Sequence, residues 1–170
     1  MNILQEERYA CLIGKIVANL LGLEFAIRAY LYAKAAHPHE GMENGKQLYQ
    51  YAVGEQIPEN AMTCYDSLKT LIDRYNKLAP LERRVDPGIV DLRDVFAHGR
   101  LAGVASSDNF SLMKTKKEKE ILAVSFSQEL TEAWLIDQVR RTRAESNKVT
   151  ANPEIQPLSS APSCPRGGTK

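Results

Sequence analysis

Cysteine is scarce in this chain: Cys11, Cys64 and Cys164 are far apart, odd in number and in no metal-ligand spacing. That usage argues against a disulfide framework or a zinc site and fits a reducing cytosol. A charge of one sign is missing as well. Lysine and arginine total 22 against 21 aspartates and glutamates, a formal net charge of +1, so no histone-like or ribosomal basic field surrounds the protein and any contact with nucleic acid must be focal. The N-terminal apolar stretch is not free of charge, because Glu6, Glu7 and Arg8 precede it and Lys15, Glu24 and Arg28 interrupt it. Neither a signal peptide nor a membrane span is expected from that pattern, and the expected location is cytoplasmic, without a membrane partner. Also absent are a glycine-rich phosphate loop, a nucleophile elbow, paired catalytic carboxylates and a dinucleotide fingerprint. His37, His39 and Glu40 sit in loop-like surroundings with no further ligands near them in sequence, so no metal and no cofactor is expected.

What is present amounts to one ordinary domain: 170 residues, 44% hydrophobic and 25% charged, the size and composition of a soluble globular protein. From about Asn2 to Ala36 there is no proline and apolar residues recur at helical spacing, which predicts one long helix stopped by His37-Pro38. Gly41, Gly45, Gly54 and Pro58 mark a loop over residues 37–60, with a short helix around Gln47 to Val53. A second helix is predicted from Ala61, capped by Asn60, to Leu78. Asp86-Pro87 and Gly99 bracket a third over 87–98. Residues 101–126 are rich in β-branched and turn residues and read as a small hairpin or three-strand insertion. Ser127 can cap a last helix from Gln128 to Lys148, whose apolar face would use Leu130, Trp134, Leu135 or Ile136, and Val139. After Thr150, Pro153, Pro157, Pro162, Pro165 and Gly167-Gly168 predict a disordered tail. The expected fold is therefore all-α: an antiparallel up-and-down bundle of four main helices, with a β-hairpin inserted before the last, spanning residues 1–149 and followed by a tail over 150–170.

Two rows on the first helix speak to its packing. Ile13, Val17, Leu20, Glu24, Ile27 and Leu31 alternate spacings of four and three, the core seam of a bundle, with a carboxylate where an aliphatic residue belongs. Glu24 either pairs with Arg28 one turn on or hydrogen-bonds a cation from another helix, with Arg93 the candidate. Ala10, Gly14, Ala18, Gly22 and Ala26 form a low ridge that another helix, of this chain or of a second subunit, could approach closely.

The segment LRDVFAHGR, residues 92–100, carries the candidate chemistry. His98 falls in the last turn before Gly99, where the negative end of the helix dipole favours an imidazolium. Asp94 lies one turn earlier and could orient the ring by a hydrogen bond. Arg93 points about 140° away around the helix, yet its long fork can reach an anion near the helix end. The plainer reading is that His98 merely caps the helix and Arg93 merely pairs with Glu24 or Asp91.

The run LRDVFAHGRL resembles the signature of the HEPN family, the higher-eukaryote and prokaryote nucleotide-binding domains: an arginine, a polar residue, a short spacer and a histidine, here Arg93, Asp94 and His98. The layout over residues 3–148 is similar too, from the long first helix IVANLLGLEFAIRAYL to the final helix. Members are small helical bundles, commonly dimeric, and many are metal-independent ribonucleases acting as toxins or in defence. The resemblance implies Arg93 and His98 as the catalytic pair and Asp94 as their support, an RNA substrate, a homodimer, and an antitoxin or nucleotidyltransferase as partner. Position adds Glu24 and Asn19 as supporting groups from the first helix. Arg83, Arg84 and Arg100 flank the motif helix, and Lys114, Lys116, Lys117 and Lys119 mark the hairpin, a rim of charge for an RNA backbone. The alternative is a non-catalytic HEPN-like module that binds a nucleotide or a protein.

Overall fold

A computed structural model describes residues 3–35, 50–57, 59–103 and 110–151. Residues 152–170 of the expected tail, residues 47–49 of the short helix expected over 47–53, and His37 and His39 lie outside these residues, while residues 51–53 are not helical. Helix α1 runs Ile3–Ala33, close to its expected span. Its buried positions include Tyr9, Ile16, Leu20, Leu23, Ile27 and Tyr30, with Ile13 packed against them. Spacings of four and three repeat along that set, so the helix does carry a heptad seam. It shares Ile13, Leu20 and Ile27 with the expected seam. The alternate positions are Ile16 and Leu23 rather than Val17 and Glu24, one residue earlier in each heptad and so about 100° around the helix, while at the end of the helix both Tyr30 and the expected Leu31 are buried.

Helix α2, Leu68–Leu78, is shorter than expected. Asn60 does cap, but only a single turn: its Oδ1 accepts from the Met62 amide at 2.8 Å. The chain then opens, because Arg28 of α1 reaches across and donates from Nη1 to the Cys64 carbonyl at 2.7 Å and from Nη2 to the Asp66 carbonyl at 3.1 Å. Those carbonyls are thus held by a guanidinium rather than by a helix, and Ser67 restarts the helix by accepting from the Thr70 amide. A 3-10 turn at Leu81–Arg83 leads to α3, Ile89–His98.

The all-α expectation fails at the next segment. Strands β1 (Arg100–Gly103), β2 (Phe110–Glu118) and β3 (Ile121–Leu130) form an antiparallel three-stranded sheet in the order β1-β2-β3. The fold is mixed, helical with a sheet, and the expected hairpin is the larger part of that sheet. Pairing of Phe110 with Leu130 and of Leu112 with Gln128 turns Leu112 and Leu130 into the core. Leu130 therefore belongs to β3 and not to the last helix. Thr131, not Ser127, caps α4 (Glu132–Thr150) by accepting from the Trp134 amide. Between Lys114 and Thr115 the β2–β3 register shifts, and the Ser125 hydroxyl donates to the Lys114 carbonyl at 3.2 Å, so the bulge keeps that carbonyl bonded.

Helix α4 lies along α1, while α2 and α3 also touch α1, and β2 packs on α3. Its buried line, Leu135, Gln138, Thr142, Glu145 and Val149, is mostly polar. Each polar member is hydrogen-bonded, as burial demands. Asn19 donates to Thr142 Oγ1 at 3.0 Å and Thr142 Oγ1 donates to the Gln138 carbonyl at 2.8 Å. Gln138 donates to Asp137 at 3.2 Å, and Glu145 accepts from the Asp86 amide at 3.0 Å and from Lys148.

Asp86 completes the join between α4 and the start of α3. It accepts from the Gly88 amide at 2.9 Å and pairs with Arg141 at 3.0 Å. The Gly88 hydrogen bond first, and the Arg141 guanidinium second, hold its carboxyl below the ordinary aspartate value. A depressed folded-state pKa contributes stability that is complete above the unfolded pKa and is lost as the pH falls through the folded value. The carboxylate is half exposed, so the contribution is about 1 kcal/mol or less. Urea denaturation of wild type and Asp86→Asn is expected to separate the two at pH 7 and to bring them together as the pH falls below the ordinary aspartate range. A gap that persists unchanged in acid would show that the join does not depend on the carboxylate charge.

By length and composition, α1 is one helix long and apolar enough to cross a membrane. Over Glu6–Ala33 its mean hydropathy reaches 1.8 in an 18-residue window, of which 28% is buried. The charges at Lys15, Glu24 and Arg28 do not remove it from that class. Its seam is nevertheless packed against the other elements of this chain, as the core of a globular fold requires.

Candidate functional site

Helix α3 presents the motif at the end where it meets the sheet. Leu92 and Val95 are buried and fix the helix's rotation, leaving Arg93 and Asp94 half exposed and His98 exposed. The helix stops because Gly99 turns sharply into β1: a Cβ there would collide with the Val95 carbonyl oxygen and with Leu112 Cδ1. Glycine is required by this close approach and not by its backbone angles, which are extended. His98 is thereby held at a turn between a helix end and a strand, with Arg100 exposed two residues on.

Asp94 does not orient His98. Its Oδ1 accepts from Arg93 Nη1 at 3.3 Å, and its Oδ2 lies 3.7 Å from Lys114 Nζ on β2. All three side chains are partly solvated, so the cluster sets local charge rather than stability. Beneath it, the Phe96 and Trp134 rings stack with centroids 6.3 Å apart, joining α3 to α4 on this flank.

Glu24 pairs with Arg28, not with Arg93: the Arg28 Nη2 to Glu24 Oε1 distance is 2.9 Å. Burial of the Arg28 guanidinium works against its charge, but the hydrogen bond and proximity of Glu24, with Cys64 adding to them, outweigh it and raise its pKa. Glu24 and Arg93 still face a common space. With Val17, Leu20, Leu21, Phe96 and Ala97 they line a recess of about 180 Å³ between α1 and α3. Asn19 lies elsewhere, turned toward α4, where it donates to the Val139 carbonyl and to Thr142. Arg83 and Arg84 precede α3 and so sit at its opposite end from His98. Arg83 donates to the Ala151 carbonyl at the end of α4, and Arg84 donates to the Ala79 carbonyl at 3.4 Å.

The structure brings Arg93, Asp94 and Lys114 together, with Glu24 across the recess from Arg93; His98 stands exposed at the end of the same helix, Arg100 pairs with Met113 and so points to the opposite face of the sheet from Lys114, and Asn19, Arg83 and Arg84 lie elsewhere. Lys114, which the sequence places only as hairpin charge, joins Arg93 and Asp94 through the strand register. A larger open recess of about 440 Å³ near the C-terminal end of α1 holds Lys34, Arg74 and Lys77 but none of the sequence-predicted site residues. Among the described residues, no group of three or more His, Cys, Asp or Glu side chains could hold a metal ion.

No family model, curated protein or solved structure matches this chain. The chemistry of the site rests on its own residues. An exposed imidazole at a helix end and a guanidinium five residues before it on the same helix can hold a phosphodiester by its oxygens and exchange a proton with it. Arg93 has further N–H donors beyond the one given to Asp94, in a fork suited to two phosphoryl oxygens.

Proposed function

We propose that this chain is a HEPN-like, metal-independent endoribonuclease of the toxin or defence type, with Arg93 and His98 as its catalytic residues. The observation that supports it is helix α3, where His98 is exposed at the C-terminal end and Arg93, on the same helix, lines a recess with Glu24 and keeps donors free beyond Asp94. In the reaction the ribose 2′-oxygen attacks the adjacent phosphorus and loses its proton to a base. The bond from phosphorus to the 5′-oxygen breaks, and an acid protonates the departing oxygen, leaving a 2′,3′-cyclic phosphate and a 5′-hydroxyl. Arg93 stabilises the charge that builds on the phosphoryl oxygens. His98 carries one of the proton transfers, and a second copy of the chain supplies another His98 for the other, which makes the homodimer part of the reading.

One observation favours the non-catalytic alternative. Asp94 is occupied by Arg93 and Lys114, so no carboxylate fixes the His98 ring, and an unoriented imidazole serves anion binding as readily as proton transfer. The experiment that separates the two is incubation of a labelled, structured RNA with the protein in EDTA, followed by identification of the product ends. Cyclic phosphate termini are expected. Intact RNA retained in a salt-sensitive complex would give the binding module the lead, and cleavage that requires an added divalent ion would remove the proposed mechanism.

A further inference from the structure

The larger recess, which begins about 10 Å beyond Glu24 along α1, is lined by hydrogen-bond donors. Its polar members are Tyr32, Lys34, Asn60, Arg74 and Lys77, and among the described residues no aspartate or glutamate lines it. All five side chains can donate, and three of them carry a positive charge. Asn60 accepts at its Oδ1 from the Met62 amide at 2.8 Å, which leaves it the Nδ2 donor. Arg74 gives Nη1 to Asp66 at 2.6 Å and has further N–H groups in the same fork. Among the described residues, Asn60 Nδ2, the Tyr32 hydroxyl and the Lys77 ammonium have no hydrogen-bond or ion-pair partner. The dipoles of α1 and α2 each favour one cation at the helix end, Lys34 and Lys77. They do not require both to meet at one recess with an amide and a hydroxyl.

We propose that this recess binds a phosphate monoester, with the phosphate on the donors and a small apolar body against Leu31 and Leu78. A monoester carries close to two negative charges at neutral pH on three oxygens that accept strongly, so it meets donors throughout and no competing carboxylate. A phosphodiester of a nucleic-acid backbone has one charge on two free oxygens and answers three cations less fully. The Arg74 fork fits two of the oxygens, and Lys77 supplies a compact charge to the third. The volume of about 440 Å³ lies in the range of small-molecule sites, roughly 300–1,000 Å³. Its apolar members, Leu31 and Leu78, give the body of an organic molecule something to contact that a bare ion would not use. The recess shares no lining residue with the one beside Arg93, and the inference does not depend on the ribonuclease reading.

Titration calorimetry of the full chain with phenyl phosphate, which joins a monoester to an apolar ring, is expected to show one saturable site per chain. Phenol should bind about tenfold more weakly or worse, and so should phenyl phosphate to Lys77→Ala, because charge-assisted hydrogen bonds are the strong ones. Lys77 is exposed, so that variant should keep its fold by circular dichroism. Lys77→Arg should retain most of the affinity, and Arg93→Ala should bind as wild type does. Vesicles of phosphatidic acid in phosphatidylcholine identify the source of the monoester: flotation that Lys77→Ala abolishes supports a lipid headgroup, and binding of phenyl phosphate without flotation supports a soluble molecule. Absence of phenyl phosphate binding, equal affinity of wild type and Lys77→Ala, or loss of binding in Arg93→Ala alone would each overturn the proposal. So would displacement of phenyl phosphate by a short RNA without terminal phosphates, which would assign the recess to a nucleic-acid backbone.

Discussion

His98→Ala is expected to lower the rate of RNA cleavage in EDTA by about 10²–10⁴-fold, the usual range for removing one general acid or base. In barrier terms that is roughly 3–5 kcal/mol. Stability should hardly change, because the side chain is exposed and its helix is terminated by Gly99, which the substitution does not touch. Arg93→Ala is expected to lose a comparable amount, and Arg93→Lys most of it, since an ammonium keeps the charge but not the fork. Asp94→Asn should cost far less than either, because Asp94 touches Arg93 and Lys114 rather than His98. Single-turnover cleavage of one RNA by wild type and the four variants, with circular dichroism to confirm folding, gives this ranking directly. Equal rates for wild type and His98→Ala would exclude the imidazole from the proton transfers. An Asp94→Asn loss as large as that of His98→Ala would mean that the carboxylate swings to the imidazole when substrate binds.

Local features of this chain were legible in the sequence and non-local ones were not. The third helix is expected over 87–98 and found over Ile89–His98, because its start and stop signals, Asp86-Pro87 and Gly99, act within a few residues of themselves. Arg93 and Asp94 are neighbours in any helix, so their pairing needs no tertiary information. The seam of α1 was half legible. Ile13, Leu20 and Ile27 belong to either phase of the heptad, and the choice between Val17 with Glu24 and Ile16 with Leu23 depends on where α4 lies. Glu24 was the signal that could have decided it, since a seam free of carboxylates was available one residue earlier. In α4 the pattern misled for a different reason. Gln138, Thr142 and Glu145 are buried through hydrogen bonds to partners such as Asn19 and Asp86, remote in sequence, and a hydrophobicity pattern assigns such residues to solvent. The shortening of α2 was equally illegible, because the cause is Arg28, thirty-six residues before the Cys64 carbonyl it holds. The end of strand β3 depends on its partner. Residues 128–130 suit a helix start in isolation and become strand only opposite Phe110 to Leu112. The same non-locality brings Lys114 to Asp94.

Leu23→Ala is expected to destabilise the fold by about 2–5 kcal/mol, the range for truncating a fully enclosed leucine. Leu23 is 0% exposed, and it lies at the middle of the seam between Leu20 and Ile27, where neighbouring side chains on both sides are themselves locked in the core. Collapse around the missing atoms is therefore limited, which favours the upper half of that range. Leu23→Met keeps the volume and should cost less than about 1.5 kcal/mol. For a domain of this size the alanine variant should melt lower by roughly 4–20 °C, and urea denaturation at one fixed protein concentration gives the free energy without interference from dimerisation. The result bears on more than one contact. If Leu23→Ala costs under about 1 kcal/mol, the seam runs through Val17 and Glu24 instead, and the outward face of α1 is no longer the one carrying Leu21 and Phe25. If it costs what an enclosed leucine costs, the phase of the helix is fixed. That phase places Val17 and Glu24 beside Arg93 and turns Leu21 and Phe25 to the surface.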